Sequence, residues 1–420
     1  MATLSESERR RGLIILLAGS FLMFGGFFML VPLISVHYVR DLKFAAVAVG
    51  LALAVRQLTQ QGLTLFGGAL ADRWGAKWLM CAGMLLRAAG FAGLAWAHTF
   101  PALLAMCVLA ALGGSLFEAP RSAAIAALTT PATRARFFSL SGIVGGLGMT
   151  VGPLLGAALI SASWPLVCFV SALCFVVGGL LTGMFLSDVK VVAERQTLGH
   201  GIAIAARDGP FVVLTILLGG YWFMWVQLAI SLPLIAQQFS PASITTVFGT
   251  LLIGGVASVY TTNAILTVLL QYPLLALAQR YLRPLSILVL GVALMGAGLG
   301  AVALVGSSAG LLTCVGLFSL GALLVQPVQQ SVTAELADPS ALGSYFGFSA
   351  LALAFGGGLG NFAGGWLYDV ALALHAPALP WLIFGSVGAV VVVGLVVLDR
   401  ARFRTGGRIA GPTPRLARKM

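Results

Sequence analysis

Residues 67–77 read GGALADRWGAK, a short charged stretch between two long apolar segments. Its glycines permit a tight turn and the close approach of neighbouring helices. Because the charges are confined to this stretch while both flanks are apolar, it predicts a turn between two long helices. The residues that carry this pattern are Gly68, Asp72, Arg73, Gly75 and Lys77.

The same landmarks return in the second half of the chain at a nearly constant spacing. The ALADR of residues 69–73 recurs as ALAQR at 276–280, an offset of 207. LVPLI at 30–34 recurs as SLPLI at 231–235, an offset of 201, so roughly six extra residues precede ALAQR. An offset of 208 relates Gly113 to Gly321, Glu118 to Gln326, Gly148 to Gly356 and Gly152 to Gly360. A repeat of this length predicts two similar halves.

The composition excludes an ordinary soluble domain. Of 420 residues, 60% are hydrophobic and only 9% are charged, and about twelve apolar segments have the ~20 residues needed to cross a bilayer. We therefore predict an all-α membrane protein with twelve transmembrane helices, and we place the extra residues in or before the eighth. The predicted spans are 13–36, 44–71, 78–97, 102–128, 137–160, 165–187, 210–235, 247–278, 285–305, 309–334, 345–369 and 381–398.

The basic residues give the orientation. Most of the 24 Lys and Arg residues lie in the tails and in alternate loops, as expected when those segments face the cytoplasm. Both termini are predicted to be cytoplasmic, and the net charge of +12 needs no nucleic acid to explain it. We expect a six-helix bundle over 1–187, a cytoplasmic linker over 188–209, a second bundle over 210–398 and a basic tail over 399–420.

Glu118 is the one carboxylate in the interior of a predicted span. Arg121 follows three residues later, on the same face of the helix, and Arg87 is predicted at a similar depth. A carboxylate balanced between burial and a nearby cation can take up and release a proton. Two interpretations stay open: Glu118 carries a coupled proton, or it forms a static ion pair with Arg87 or Arg121.

Further polar and aromatic residues are predicted inside the spans. Polar side chains within hydrocarbon face a partner or a wet cavity, and flat aromatic rings suit a pocket for drug-sized molecules. Packing is the alternative explanation for the aromatic residues. The predicted cavity residues are Phe24, Arg56, Trp222, Trp225, Gln227, Asn263 and Gln326.

Other chemistry is not indicated by the sequence. There is no G-x-x-x-x-G-K-[ST] loop for a nucleotide and no His–Glu or Cys–His cluster for catalysis. The five cysteines lack the spacing of a metal site or a disulfide framework. We expect a protein that is not an enzyme, needs no cofactor and no metal, acts as a monomer and draws its energy from an ion gradient.

GGALADRWGAK closely resembles the loop between helices 2 and 3 of the major facilitator superfamily, G-x-L-a-D-r-x-G-r-k, with Ala76 in place of the usual base. In helix 5, the residues Gly148, Gly152, Pro153 and Gly156 resemble G-x-x-x-G-P-x-x-G-G of its proton antiporters, with Ala157 at the last glycine. The helix-4 pattern R-x-x-q-G is absent.

This resemblance extends over the whole chain and is strongest towards the MdtH-type multidrug resistance proteins, on RQLTQQGL (56–63), MLLRAAGFA (84–92) and SLFEAPRSA (115–123). It implies two pseudo-symmetric six-helix bundles around a midplane site, and proton-driven efflux of drug-like amphipathic compounds across a bacterial inner membrane. It also implies that Asp72 is a conformational latch against the start of helix 11, near 343–345.

Two rival functions remain at this stage. Three arginines against one glutamate within the spans suit transport of an anionic amphiphile such as a lysolipid, a siderophore or a metabolite. A membrane sensor without transport is the second rival, although the chain shows no soluble signalling domain.

Overall fold

The computed structural model describes residues 5–187, 198–239, 242–246, 249–253, 255–337 and 342–404. Within these ranges it describes the backbone but not the side chains of residues 65–74, 119, 123, 126, 131–132, 134–136, 139, 198–202, 242–246, 249–253, 257, 334, 342–343 and 402–404. The helices are α1 (Glu6–Val36), α2 (Ala46–Trp74), α3 (Ala76–Gly93), α4 (Phe100–Leu128), α5 (Pro131–Ile160), α6 (Trp164–Phe185), α7 (Leu198–Arg207), α8 (Gly209–Trp225), α9 (Ser231–Ala236), α10 (Gly255–Tyr281), α11 (Pro284–Ala301), α12 (Ser308–Leu336), α13 (Leu342–Leu351), α14 (Gly358–Ala373) and α15 (Leu379–Arg404). Single π turns follow α1 (His37–Asp41) and join α13 to α14 (Ala352–Gly357), and two strands, β1 (Ala242–Thr246) and β2 (Gly249–Ile253), form a hairpin.

The predicted helical membrane architecture is confirmed. Within the described residues, eleven helical segments are long and apolar enough to cross a membrane, and α2, with 29 residues, corresponds to the predicted span 44–71. Several helices begin in the same way, with a side-chain cap followed by proline. Thr99, Ser163 and Asp208 each accept a hydrogen bond from the backbone N–H three residues later, which satisfies one of the otherwise unpaired N–H groups of the first turn.

The eighth span differs from the prediction of 247–278. Residues 242–246 pair with residues 249–253 as antiparallel strands, with Ala242 opposite Ile253 and Thr246 opposite Gly249, and α10 begins only at Gly255. The hairpin accommodates the extra residues that the repeat reveals. Hydropathy failed here because a short apolar run such as GTLLI fits a strand and a helix equally well.

The described chain divides into two compact units. The first comprises Met1–Arg195 and Leu228–Ile235, and the second comprises Gln196–Gln227 and Ala236–Met420. The division falls inside the predicted linker 188–209, where α7 forms a short helix. At the other end, α15 continues to Arg404, past the predicted start of the tail at 399.

The seventh span, predicted as one helix over 210–235, is broken. After α8 the chain makes a short 3-10 turn over Val226–Leu228 and then forms α9. Within the first unit, the Ser35 hydroxyl donates to the carbonyl of Ala229 at 2.9 Å. The segment beyond the break therefore packs on α1.

Equivalent glycines make equivalent close approaches in the two units. Gly113 of α4 meets the backbone of α3 at Gly83, and Gly321 of α12 meets the backbone of α11 at Gly291, so the offset of 208 holds in three dimensions. Gly152 meets Gly25 of α1, whereas Gly360 meets Phe223 of α8. The two contacted residues, Gly25 and Phe223, are therefore related by an offset of 198. Because LVPLI and SLPLI are 201 apart, three extra residues lie in the break after α8.

Candidate functional site

Glu118 and Arg121 form an ion pair on α4. Glu118 Oε2 and Arg121 Nη2 are 2.9 Å apart, with side chains 29% and 13% exposed. Arg121 Nη1 also donates to the hydroxyls of Ser141 on α5 at 2.6 Å and Ser20 on α1 at 3.2 Å. The predicted pairing at i+3 is therefore present, and it is part of a network that joins α1, α4 and α5.

Arg87 makes different contacts from those of Arg121. It is 2% exposed, and its guanidinium carbon lies 4.6 Å from the ring centre of Phe27, 5.8 Å from that of Phe91 and 5.5 Å from that of Phe175. Among the described residues, the ion pair of Glu118 is formed with Arg121 and none is formed with Arg87. Of the two static pairings that the sequence allows, only one is present.

Arg56 of α2 was predicted to border the substrate cavity. It is 6% exposed and donates to the side-chain oxygens of Gln57 at 3.1 Å and Gln60 at 3.3 Å. Its guanidinium carbon lies 5.0 Å from the ring centre of Phe27. Phe24 packs against α5, because a Cβ atom on Gly145 would lie 2.9 Å from its ring. This contact is a packing contact, and the place of the half-buried Phe24 at the substrate cavity stays a prediction.

The second unit contains a cleft of about 210 Å³. Trp222 of α8 lines it, and Trp225 contacts Trp222 edge to face with ring centres 5.3 Å apart. None of the lining side chains carries a charge. They are Leu218, Trp222, Gln329, Gln330, Thr333, Phe346, Ser349, Ala350 and Leu353.

The other predicted cavity residues of the second unit lie outside this lining. Gln227 is fully buried, and its Nε2 donates to the carbonyls of Phe223 at 2.8 Å and Gly360 at 2.9 Å. Both amide hydrogens of Gln227 therefore join α8 to α14, and its place at the substrate cavity stays a prediction. Gln326 and Asn263 are half-buried and do not line the cleft.

The repeat explains the residues that the prediction missed. The offset of 208 relates Arg121 to Gln329 and Ser141 to Ser349, and both counterparts line the cleft. The cleft of the second unit therefore occupies the place that the Glu118–Arg121 network occupies in the first. Comparing the two halves of the repeat at these positions would have identified Gln329 and Ser349 from the sequence.

The glycines of the helix-5 motif contact α1. A Cβ atom on Gly148 would lie 2.7 Å from the carbonyl oxygen of Phe21, and one on Gly156 would collide with the carbonyl oxygen of Met29. Such contacts are possible only without side chains, so the predicted close helix crossing is present along this face. Pro153 lies within α5.

Gly68, Asp72 and Arg73 of the predicted latch lie in the part of α2 for which the structure describes only the backbone. Gly75, the residue before α3, has φ of 83°, a conformation that favours glycine. Lys77 Nζ lies 5.1 Å from the ring centre of Trp78.

Tyr345, near the predicted contact of Asp72, donates a hydrogen bond to Asp208 Oδ2 at 3.1 Å. Its ring lies 4.5 Å from that of Phe211. The start of α13 is therefore tied to the start of α8 within the second unit.

Comparison with known proteins identifies the family. The sequence model of the Major Facilitator Superfamily matches residues 16–262. The multidrug resistance protein MdtH of Cronobacter sakazakii is 40% identical over 390 residues, which cover 92% of this chain and 94% of that protein. MdtH of Escherichia coli O157:H7 is 37% identical over 395 residues, which cover 94% of this chain and 96% of that protein.

Solved structures match the fold. A POT family transporter in complex with 5-aminolevulinic acid has a TM-score of 0.78 at 14% identity, covering 93% of this chain and 96% of that one. A mutant of the nucleoside transporter NupG has a TM-score of 0.72 at 15% identity, and the match covers 92% of this chain and 99% of that one. Together with the apolar helices, these matches make the protein a multi-pass membrane protein with a transporter fold. The chain belongs to the Major Facilitator Superfamily and, within it, to the family of the MdtH multidrug resistance proteins.

Proposed function

We propose that this protein is a secondary active transporter that exports drug-like amphipathic compounds across a bacterial inner membrane in exchange for protons. It acts as a monomer by alternating access, with both termini in the cytoplasm. The observation that carries the proposal is the uncharged cleft beside Trp222. The multidrug resistance proteins that match over more than nine-tenths of this chain support the same function.

The chemistry of the cleft suits flat, partly polar molecules. Trp222 supplies a large aromatic face, and Gln329, Gln330, Thr333 and Ser349 supply amides and hydroxyls. A site that is largely apolar, with a few polar groups to orient the ligand, is typical of small-molecule binding. Since amides and hydroxyls both donate and accept hydrogen bonds, this lining can accept compounds of varied structure.

The ion pair of the first unit is the proposed proton site. When Glu118 takes up a proton it loses its charge, and the strong interaction with Arg121 weakens. Arg121 also holds hydroxyls of α1 and α5, so protonation of one carboxylate alters the packing of three helices. In this scheme Asp72 holds the cytoplasmic side closed during the outward-open state.

Transport into proteoliposomes tests the proposal. The purified full-length protein is reconstituted with an acidic lumen, and accumulation of cationic, neutral and anionic fluorescent aromatic dyes is followed. We expect cationic or neutral dyes to accumulate and a protonophore to abolish the accumulation, with protein-free liposomes as the control. Accumulation that ignores the pH gradient would refute proton coupling, and transport restricted to anions would refute the proposed substrate class.

A further inference from the structure

Two arginines of the first unit share one aromatic ring. Phe27 of α1 lies with its ring centre 4.6 Å from the guanidinium carbon of Arg87 on α3 and 5.0 Å from that of Arg56 on α2. Both arginines are more than nine-tenths buried. Three helices therefore bring two positive charges to the same point inside the first unit.

These charges are only partly compensated. Among the described residues, Nε of Arg56 and both Nε and Nη1 of Arg87 have no hydrogen-bond partner. The terminal nitrogens of Arg56 donate to the neutral amides of Gln57 and Gln60. A buried cation is expensive unless an anion pairs with it, and an aromatic ring or a neutral amide supplies only part of that compensation. The structure therefore leaves forked N–H donors available for a negative group.

Packing of the fold does not require these arginines. By the offset of 208, the counterpart of Arg87 is Met295, which is fully buried in the second unit against the equivalent glycine, Gly321. By the offset of 207, the counterpart of Arg56 is Asn263. The same framework thus accepts neutral residues at both positions, so the two charges need an explanation other than helix packing.

The surroundings of Arg87 include a polar neighbour as well as aromatic rings. A Cβ atom on Gly114 of α4 would collide with Arg87 Nη1 and would lie 2.9 Å from Gln60 Oε1. The absence of a side chain at Gly114 therefore allows Arg87 and Gln60 to approach the same point on α4, next to the partners of Arg56.

We propose that Arg56 and Arg87, on either side of their shared contact with Phe27, bind an oxyanion. Guanidinium groups match the geometry of carboxylate, sulfonate and sulfate oxygens through paired N–H donors. The oxyanion is a free inorganic anion or the acidic group of an amphiphile. The proposal does not depend on drug export, because the site and the uncharged cleft lie in different units and share no residue.

Equilibrium binding to the purified full-length protein tests the site. The probes are naphthalene-2-sulfonate, its neutral analogue 2-naphthylmethanol and sodium sulfate, titrated at constant ionic strength. We expect the sulfonate to bind at least about tenfold more tightly than the alcohol, because only the sulfonate can form charge-assisted hydrogen bonds with the two guanidinium groups. Competition by sulfate would assign the site to free anions, and binding of the sulfonate without such competition would assign it to the head group of an amphiphile; both results support an oxyanion site.

The variants copy the residues that occupy the equivalent positions of the second unit. Arg87→Met and Arg56→Asn should fold, because Met295 and Asn263 occupy the equivalent positions, and thermal unfolding checks this. We expect each variant to lose the preference for the sulfonate, while Arg280→Gln, which removes an exposed arginine of the second unit, retains it. Equal affinity of the wild type for the sulfonate and the alcohol, or an undiminished preference in both folded variants, would overturn the proposal.

Discussion

Gly152 of α5 provides a sharp test of the helix packing, because a methyl group there meets the backbone of α1. A Cβ atom on Gly152 would lie 2.5 Å from the carbonyl oxygen of Gly25 and 3.0 Å from the amide nitrogen of Met29. On Gly146, six residues earlier on the same helix, a Cβ atom meets nothing within 4 Å. Gly152→Ala and Gly146→Ala therefore make the same chemical change in opposite environments.

The expected changes in the free energy of unfolding have opposite signs. To reach ordinary contact at 3.4 Å, the Gly25 oxygen must retreat by about 0.9 Å from the new methyl group of Gly152→Ala. Overpacking of this kind costs about 1–3 kcal/mol, and exchanging glycine for alanine in a helix returns about 0.5–1 kcal/mol. We expect Gly152→Ala to destabilise the protein by roughly 1–2 kcal/mol and Gly146→Ala to stabilise it by up to about 1 kcal/mol.

Reversible unfolding in mixed detergent micelles, followed by circular dichroism, measures both changes, and dye transport in proteoliposomes shows whether the displaced helix still supports turnover. The comparison of the two variants removes the effect of helix propensity, which they share. Equal stability of the two variants, or a Gly152→Ala protein as stable as the wild type, would refute the backbone contact between α1 and α5.

Three further changes address the proposed mechanism. Glu118→Gln keeps the size of the side chain and removes its charge, so proton-driven dye export should stop while dye binding persists. The control Glu335→Gln, at an exposed carboxylate, should leave export unchanged. Normal export by Glu118→Gln would show that Glu118 has a structural role only. Trp222→Ala should weaken the binding of some aromatic dyes by about 1–3 kcal/mol and that of others much less. The control Trp366→Ala, at an exposed ring, should have no such effect. A uniform loss of expression would show that Trp222 serves packing instead of dye binding. Asp72→Asn should shift the protein towards the inward-open state and slow turnover. Double electron–electron resonance between labels on the cytoplasmic ends of the two halves measures the conformational shift. Unchanged distances together with lost substrate binding would assign Asp72 to the substrate site.

The membrane helices and the repeat were readable from the sequence because both are carried by local patterns. An apolar segment of about 20 residues must form a helix to satisfy its backbone within hydrocarbon, whatever its neighbours are. The glycines at 113 and 321 keep their spacing because both meet the backbone of an adjacent helix, where no side chain fits. Composition and charge placement likewise predicted a membrane protein with a definite orientation.

The pairing of β1 with β2 and the break after α8 could not be predicted in this way. Both segments are short and contain apolar residues, and hydropathy does not distinguish a strand or a broken helix from a continuous one over so few residues. The three extra residues after Trp225 are revealed only by the structure. The glycine contacts relate α1 to α8 by an offset of 198, whereas the sequence relates LVPLI to SLPLI by an offset of 201.

The partners of the polar side chains were decided by the tertiary structure alone. Depth along a helix placed Glu118 near both Arg87 and Arg121, but the direction of each side chain selects Arg121 and leaves Arg87 against Phe27. Trp222 and Gln227 lie five residues apart on the chain, yet one lines a cleft and the other joins two helices. The sequence determines which residues enter the membrane, because that depends on hydrophobicity summed over a segment. The packing determines what each of them contacts, because a helix rotates about 100° per residue and only its neighbours settle which face is buried.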